Sequence, residues 1–98
     1  MTVLLSERET PEGVLVAVCD EALLGETYER GEVSLTVTEE FYGGDPATDE
    51  EVAAALGRAT TANLVGEAAV GAAVEAGFVD PENVLELDGT VHAQYVHL

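Results

Sequence analysis

Residues 60–81, TTANLVGEAAVGAAVEAGFVDP, carry start and stop signals for a single helix, and they constrain the fold more than any other stretch. Thr60 or Thr61 supplies an N-cap hydroxyl for the free N–H groups of a first turn. Gly77 stands where a left-handed C′ residue belongs, Phe78 follows as its apolar contact, and Pro81 bars continuation. At about 100° per residue, Ala62, Gly66, Ala69 and Ala73 share one side, where small side chains let another backbone approach. Asn63, Glu67, Gly71 and Glu75 make a narrow polar stripe. The remaining circumference is apolar, so the helix is expected to be largely buried. Gly66 and Gly71 would each cost about 1 kcal/mol against Ala inside a helix. Close packing, or a ligand against the backbone, is needed to offset that.

The rest of the chain supplies the sheet. Val3–Leu5 reads as a short strand, and the segment from Ser6 to Gly13, with Pro11, as a loop. Val14–Cys19 (VLVAVC) is apolar on both parities, the pattern of a central strand covered on both faces. The two strands suggest a hairpin. Val33, Leu35 and Val37 alternate with Ser34, Thr36 and Thr38, which predicts an antiparallel or edge strand with one wet face. Thr48 with Glu51 forms a capping box, and Val52, Ala55, Leu56 and Ala59 recur at helical spacing, so a short helix is expected over Asp49–Arg58. After Pro81 a second β region, Val84 to Leu98, turns at Asp88-Gly89. A two-residue loop would place Leu87 opposite Thr90 and Leu85 opposite His92, mixing leucines with polar residues; a three-residue loop, the preferred register, would place Leu87 opposite Val91 and Leu85 opposite Ala93, sorting apolar residues to one face. Glu86, His92 and Gln94 would then project together from the other, with Glu86 and His92 as a cross-strand pair. The order β-β-β-α-α-β-β predicts one α+β domain over residues 1–98. Its sheet should be mostly antiparallel, of about five strands, with two helices packed on one face.

Charge restricts the environment and the partners. The 98 residues include 20 acids, three Arg and no Lys, for a net charge of -17. The acids are interspersed with apolar patterns, so they describe an acidic skin and not a disordered run. Such a surface repels itself unless salt screens it, and at molar salt the Debye length is roughly 3 Å. A haloarchaeal cytoplasm is the natural setting. Cys19 stands alone, so no intramolecular disulfide is possible, which fits a reducing compartment. The N-terminal MTVLLSERE lacks the basic start and apolar length of a secretory signal. No run approaches the ~18 apolar residues of a membrane helix. A soluble cytoplasmic protein is expected.

Glu39–Asp45 (EEFYGGD) is the most informative loop. Phe41 and Tyr42 precede Gly43 and Gly44; the aromatics either fold back onto the core, the favoured reading, or wall a ligand site. The glycine pair lacks the spacing of a phosphate-binding fingerprint. Elsewhere Asp20 and Glu21 follow the apolar strand, and Thr61, Asn63, Gly66 and Glu67 open the long helix.

In this order and spacing, VCDEALLGE (18–26), EEFYGG (39–44), TANLVGE (61–67), VDP (79–81) and HAQ (92–94) resemble the archaeal family catalogued as domain of unknown function 424. The resemblance spans nearly the whole chain. It implies a small archaeal protein linked to translation or RNA metabolism, because relatives are encoded near translation genes. Glu26 departs from the basic residue that relatives often carry after the glycine.

Three classes of function follow. The first is a non-enzymatic interaction module of the translation apparatus. Phosphate recognition runs on Lys and Arg, and three Arg are few. A protein or ribosome-associated partner therefore fits the charge better than naked nucleic acid. The second is a small-ligand or metal-binding module at an edge where Asp20, Glu21, Phe41, Tyr42, Gly43, Gly44, Thr61, Asn63, Gly66, Glu67, His92 and Gln94 would converge. No HxxxH, CxxC or EF-hand spacing supports a metal. The third and weakest is an enzyme using Cys19 as nucleophile and His92 as base, with Asp20 or Glu86 orienting the imidazole. Its competing reading is a small core thiol and an exposed sheet residue. No catalytic set is assigned.

Overall fold

The computed structural model describes residues 2–97. Leu98, the end of the expected final β region, lies outside them. The elements run β1 (Val3–Thr10), β2 (Gly13–Asp20), a 3-10 turn (Glu21–Leu23), β3 (Thr27–Arg30), β4 (Val33–Thr36), α1 (Glu39–Tyr42), β5 (Asp45–Ala47), α2 (Asp49–Arg58), β6 (Thr61–Val65), α3 (Glu67–Glu75), a second 3-10 turn (Pro81–Asn83), β7 (Leu85–Leu87) and β8 (Thr90–Val96).

Six strands form one mixed sheet in the order β5-β1-β2-β6-β8-β7, and β3 with β4 makes a separate ribbon. All neighbours are antiparallel except β2 and β6, which run parallel from Leu15↔Thr61 to Cys19↔Val65. The α+β class, the mostly antiparallel sheet and the two helices on one face are as the sequence predicts. The main sheet has six strands and not about five, because Asp45–Ala47 and Thr61–Val65 join it, while the expected strand at Val33–Thr36 pairs with Thr27–Arg30 in the ribbon. Ser6–Thr10, expected as loop, continues β1 and pairs with Gly13–Ala17 of β2.

The larger correction concerns residues 60–81. Thr61–Val65 is the central strand β6, and the helix begins only at Glu67. In β6, Thr61 and Asn63 alternate with the fully buried Ala62 and Leu64, a period of two that suits a strand. Between strand and helix Gly66 adopts φ +107, which no helix interior contains. Hydrogen bonds to strands on both sides outweigh the helical propensity of the segment. The stop signals hold as read. Phe78 N–H donates to the Ala73 carbonyl (3.0 Å) and Gly77 N–H to the Val74 carbonyl (3.1 Å), with Gly77 at φ +87, a complete Schellman motif. The short helix α2 carries its capping box in full. Glu51 N–H donates to Thr48 Oγ1 (3.1 Å) and Thr48 N–H to Glu51 Oε1 (2.9 Å).

One face of the sheet is covered by the helices and the other in part by the ribbon and α1, and alternation along each strand sorts residues between two cores. Against the helices lie Val3, Val16, Val18, Ala62, Leu64 and Ala93, packed on Val52, Leu56, Ala69 and Ala73. On the other face Leu4, Ala17, Cys19 and Val65 pack with Val37 and Tyr42, with Tyr28 and Leu35 of the ribbon at the margin. The small helix face is therefore built from Ala69 and Ala73 alone, while Ala62 meets them from the sheet. Gly71 faces solvent, and a Cβ placed there would touch nothing within 4 Å. No packing within the chain offsets its cost.

Candidate functional site

β2 and β6 end side by side, and the chain leaves β6 through Gly66 into α3. Where adjacent parallel strands end, open sheets commonly place their sites. Asp20, the last residue of β2, is the one acid among the 20 that is not exposed; it is 5 % exposed. Its carboxylate accepts from Ala69 N–H at 2.8 Å and Ala68 N–H at 3.2 Å. Asp20 thus caps α3 from 48 residues upstream, where a negative charge also complements the helix dipole. A Cβ at Gly66 would overlap the Asp20 carboxyl carbon. The anion position at this helix start is filled by the protein's own carboxylate.

Next to this corner the β7–β8 turn closes a cleft of about 420 Å³ lined by Glu67, Glu86, Leu87, Gly89, Thr90 and Val91. Its walls are tied down. Gly66 N–H donates to the Val91 carbonyl (2.9 Å), and Asp88 N–H to the Glu29 carbonyl of β3 (3.0 Å). Arg30 Nη1 donates to the Glu86 carbonyl at 3.0 Å. The Tyr28 ring lies against Gly89, near enough to crowd any Cβ at that position. Burial raises the Tyr28 pKa, with Glu26 and Asp20 adding to the shift.

This corner rests on a register that differs from the expected one. The turn is the two-residue form: Leu87 pairs with Thr90, Glu86 with Val91, and Leu85 with His92. The expected pairs Leu87–Val91, Leu85–Ala93 and Glu86–His92 do not form. Polarity sorting favoured the longer loop, but the ribbon covers Leu87 from the side assigned to solvent. Leu85 stays 40 % exposed as a result.

The expected site residues fall in three places. Asp20, Glu21, Gly66 and Glu67 share the strand-end corner. Thr61, Asn63 and Gln94 lie on the uncovered part of the sheet face, where Gln94 Nε2 donates to Asn63 Oδ1 at 2.9 Å. His92 sits one strand beyond Val65 on that face, half-buried, and burial lowers its pKa. Phe41, Tyr42, Gly43 and Gly44 form a corner at β1. Tyr42 is buried in the second core and Phe41 stacks edge-on at 4.9 Å, the folded-back arrangement. One converging edge does not exist.

The Cys19–His92 pair is also excluded. Val65 stands between them in the ladder, so two strand spacings, about 10 Å, separate their backbones. Burial, then Asp20 and Glu21, push the Cys19 thiol up to about 11, the reverse of nucleophile activation. Its Sγ lies 3.8 Å from the Tyr42 carbonyl. Tyr42 is itself pushed up to about 12, first by burial. Among the described residues no three His, Cys, Asp or Glu side chains are grouped to hold a metal. No helix among them is long and apolar enough to cross a membrane.

Thr90, Leu87 and Tyr28 were not legible as site residues. The Asp88-Gly89 turn was the available signal, and the shorter loop would have pointed to Thr90.

A solved structure shares this architecture: the crystal structure of an uncharacterized conserved protein from Methanopyrus kandleri, with a TM-score of 0.81 and 27 % identity, matched over 100 % of this chain and 96 % of that one. Comparison with curated proteins finds no match. The model of the family described as "Protein of unknown function (DUF424)" matches residues 7–98, and the chain belongs to that family.

Proposed function

We propose that this protein is a non-enzymatic interaction module that docks on a basic protein surface, in the translation or RNA-metabolism setting that the family resemblance implies. One observation carries the reading: the few cations are held by the protein's own acceptors, while nearly all the anions face outward. All three guanidinium groups are engaged by the protein itself. Arg58 makes two 2.9 Å bonds to the Glu7 carboxylate, Arg8 donates to the Glu40 and Phe41 carbonyls, and Arg30 donates to the Glu86 carbonyl. Every acid except Asp20 is exposed. Phosphate contacts need free Lys or Arg, so a Lys- and Arg-rich protein is the complementary partner and RNA is not. The acidic skin also suits an archaeal cytoplasm of high salt, where the partner must hold through close contacts once long-range attraction is screened.

Affinity capture with the full chain from a haloarchaeal lysate in molar KCl, with and without ribonuclease, tests the proposal. Recovery of a basic ribosomal protein or translation factor that survives ribonuclease is the expected result. Recovery of RNA alone, or of no such protein, overturns it. The salt requirement is checked separately by thermal melts, which should rise from dilute buffer to molar KCl. Equal melting temperatures would sink the high-salt setting.

A further inference from the structure

We propose that the open edge of β8 pairs with the same edge of a second copy of this chain, joining two sheets into one. The contact needs no charged side chain, so it holds or fails independently of the basic partner. Main-chain groups of an antiparallel strand alternate in direction from residue to residue. Gly66 N–H donates to the Val91 carbonyl at 2.9 Å and His97 N–H to the Thr60 carbonyl at 2.9 Å, so Val91, Ala93, Tyr95 and His97 face β6. His92, Gln94 and Val96 face the other way, toward β7. The pairing of β7 ends at Leu85↔His92. Beyond that point the N–H and C=O groups of Gln94 and Val96 project outward, and no main-chain bond outside the ladders reaches them among the described residues. The side chains beside them are open as well. Val96 is 57 % exposed, and with Leu85 it supplies two of the three exposed large apolar side chains among the described residues, so apolar surface and unpaired backbone coincide at this edge.

Charge selects the occupant. The opposite margin of the sheet is also open in part, because β5 pairs with β1 only from Val3 to Leu5. Thr10 and Gly13 close the β1–β2 turn, so the outward main-chain groups past Leu5 belong to Glu7 and Glu9. Charged residues on an edge strand guard it against pairing with another edge. Two chains of net charge -17 would set these acids against one another there. The β8 edge has no such guard, since Thr90–Val96 (TVHAQYV) contains no Asp, Glu, Lys or Arg. A basic peptide finds no carboxylate along that strand, whereas a second copy brings an equally uncharged edge with matching donors and acceptors. Antiparallel β8 strands about a two-fold axis place Gln94 of each copy opposite Val96 of the other, so the outward groups of both are satisfied reciprocally. So short an edge makes a small contact, and small interfaces are weak. The dimer therefore needs high protein concentration, and salt to screen the acidic surfaces from each other.

The test is sedimentation velocity of the whole chain in molar KCl, in a series reaching about 1 mM, with amide exchange read by NMR over the same series. A monomer–dimer equilibrium is expected. Exchange at the Gln94 and Val96 amides should slow as concentration rises, while exchange at Glu7 and Glu9 stays unchanged. V96K should weaken the dimer about tenfold or more, because it sets like charges on the paired edges even though it lowers the net charge of each chain. Gln94→Pro removes an outward N–H without touching the bonds to β6, and should weaken the dimer to a similar extent. E9K, on the guarded edge, should not weaken it. A chain that stays monomeric across the series overturns the proposal. So does a dimer that V96K leaves intact, one that E9K abolishes, or one whose protected amides lie elsewhere. Capture of another protein by a monomeric chain, lost in V96K, gives the edge to that protein and overturns self-pairing as well.

Discussion

The two longer helices begin in opposite ways. α2 starts on a cap made by its own neighbours, Thr48 and Glu51, three residues apart. α3 starts on a carboxylate from the end of another strand, Asp20, with a glycine in a left-handed conformation as the hinge. The local cap can form in an isolated segment. The remote cap exists only when β2 and β6 are already paired. α3 is thus coupled to the sheet at the corner where the candidate cleft lies, while α2 is coupled mainly through its buried side chains.

Four substitutions sharpen or break this contrast, each read from denaturant unfolding at constant KCl. Gly66→Ala should have the largest effect. It imposes left-handed strain and drives a methyl into the Asp20 carboxyl, so a loss of about 3 kcal/mol or more is expected. Asp20→Ala leaves the Ala68 and Ala69 N–H groups without their acceptor in a buried corner, at about 2–3 kcal/mol. Thr48→Ala removes an exposed local cap and should cost about 1 kcal/mol. If Thr48→Ala costs as much as Asp20→Ala, the distinction between local and remote capping fails. Gly71→Ala should gain up to about 1 kcal/mol, because the position is helical, exposed and free of neighbours. A loss there would mean that the face of α3 carrying Glu67 and Glu75 meets something that the isolated chain does not hold.

The same contrast explains what was legible beforehand. The capping box of α2 and the Schellman end of α3 depend on residues within one or two turns, so their side-chain chemistry announces them. The misread start of α3 depends on partners far along the chain. Thr60 was read as a cap hydroxyl; in the structure its Oγ1 accepts from Val14 N–H at 3.1 Å, a sheet-side contact. Asp20 was read as a ligand candidate and is a cap. The β7–β8 register was misassigned for a related reason. Sorting by polarity assumes one wet face, and the ribbon had already covered part of it.

The candidate residues divide along the same line. Asp20, Gly66 and Tyr42 serve the fold. Glu67 was identified and borders the cleft, whereas Thr90 was not, because its burial follows from the two-residue register that pairs it with Leu87. By itself the sequence determined the α+β class, the acidic skin, the ends of the helices that carry local caps, and the family. Tertiary structure alone decided that Thr61–Val65 is a central strand, that Asp20 closes α3, and that Glu67, Glu86 and Thr90 share one cleft. Backbone pairing between distant segments outweighs local propensity when a strand gains hydrogen-bonded neighbours on both sides, and no window of neighbouring residues contains those partners.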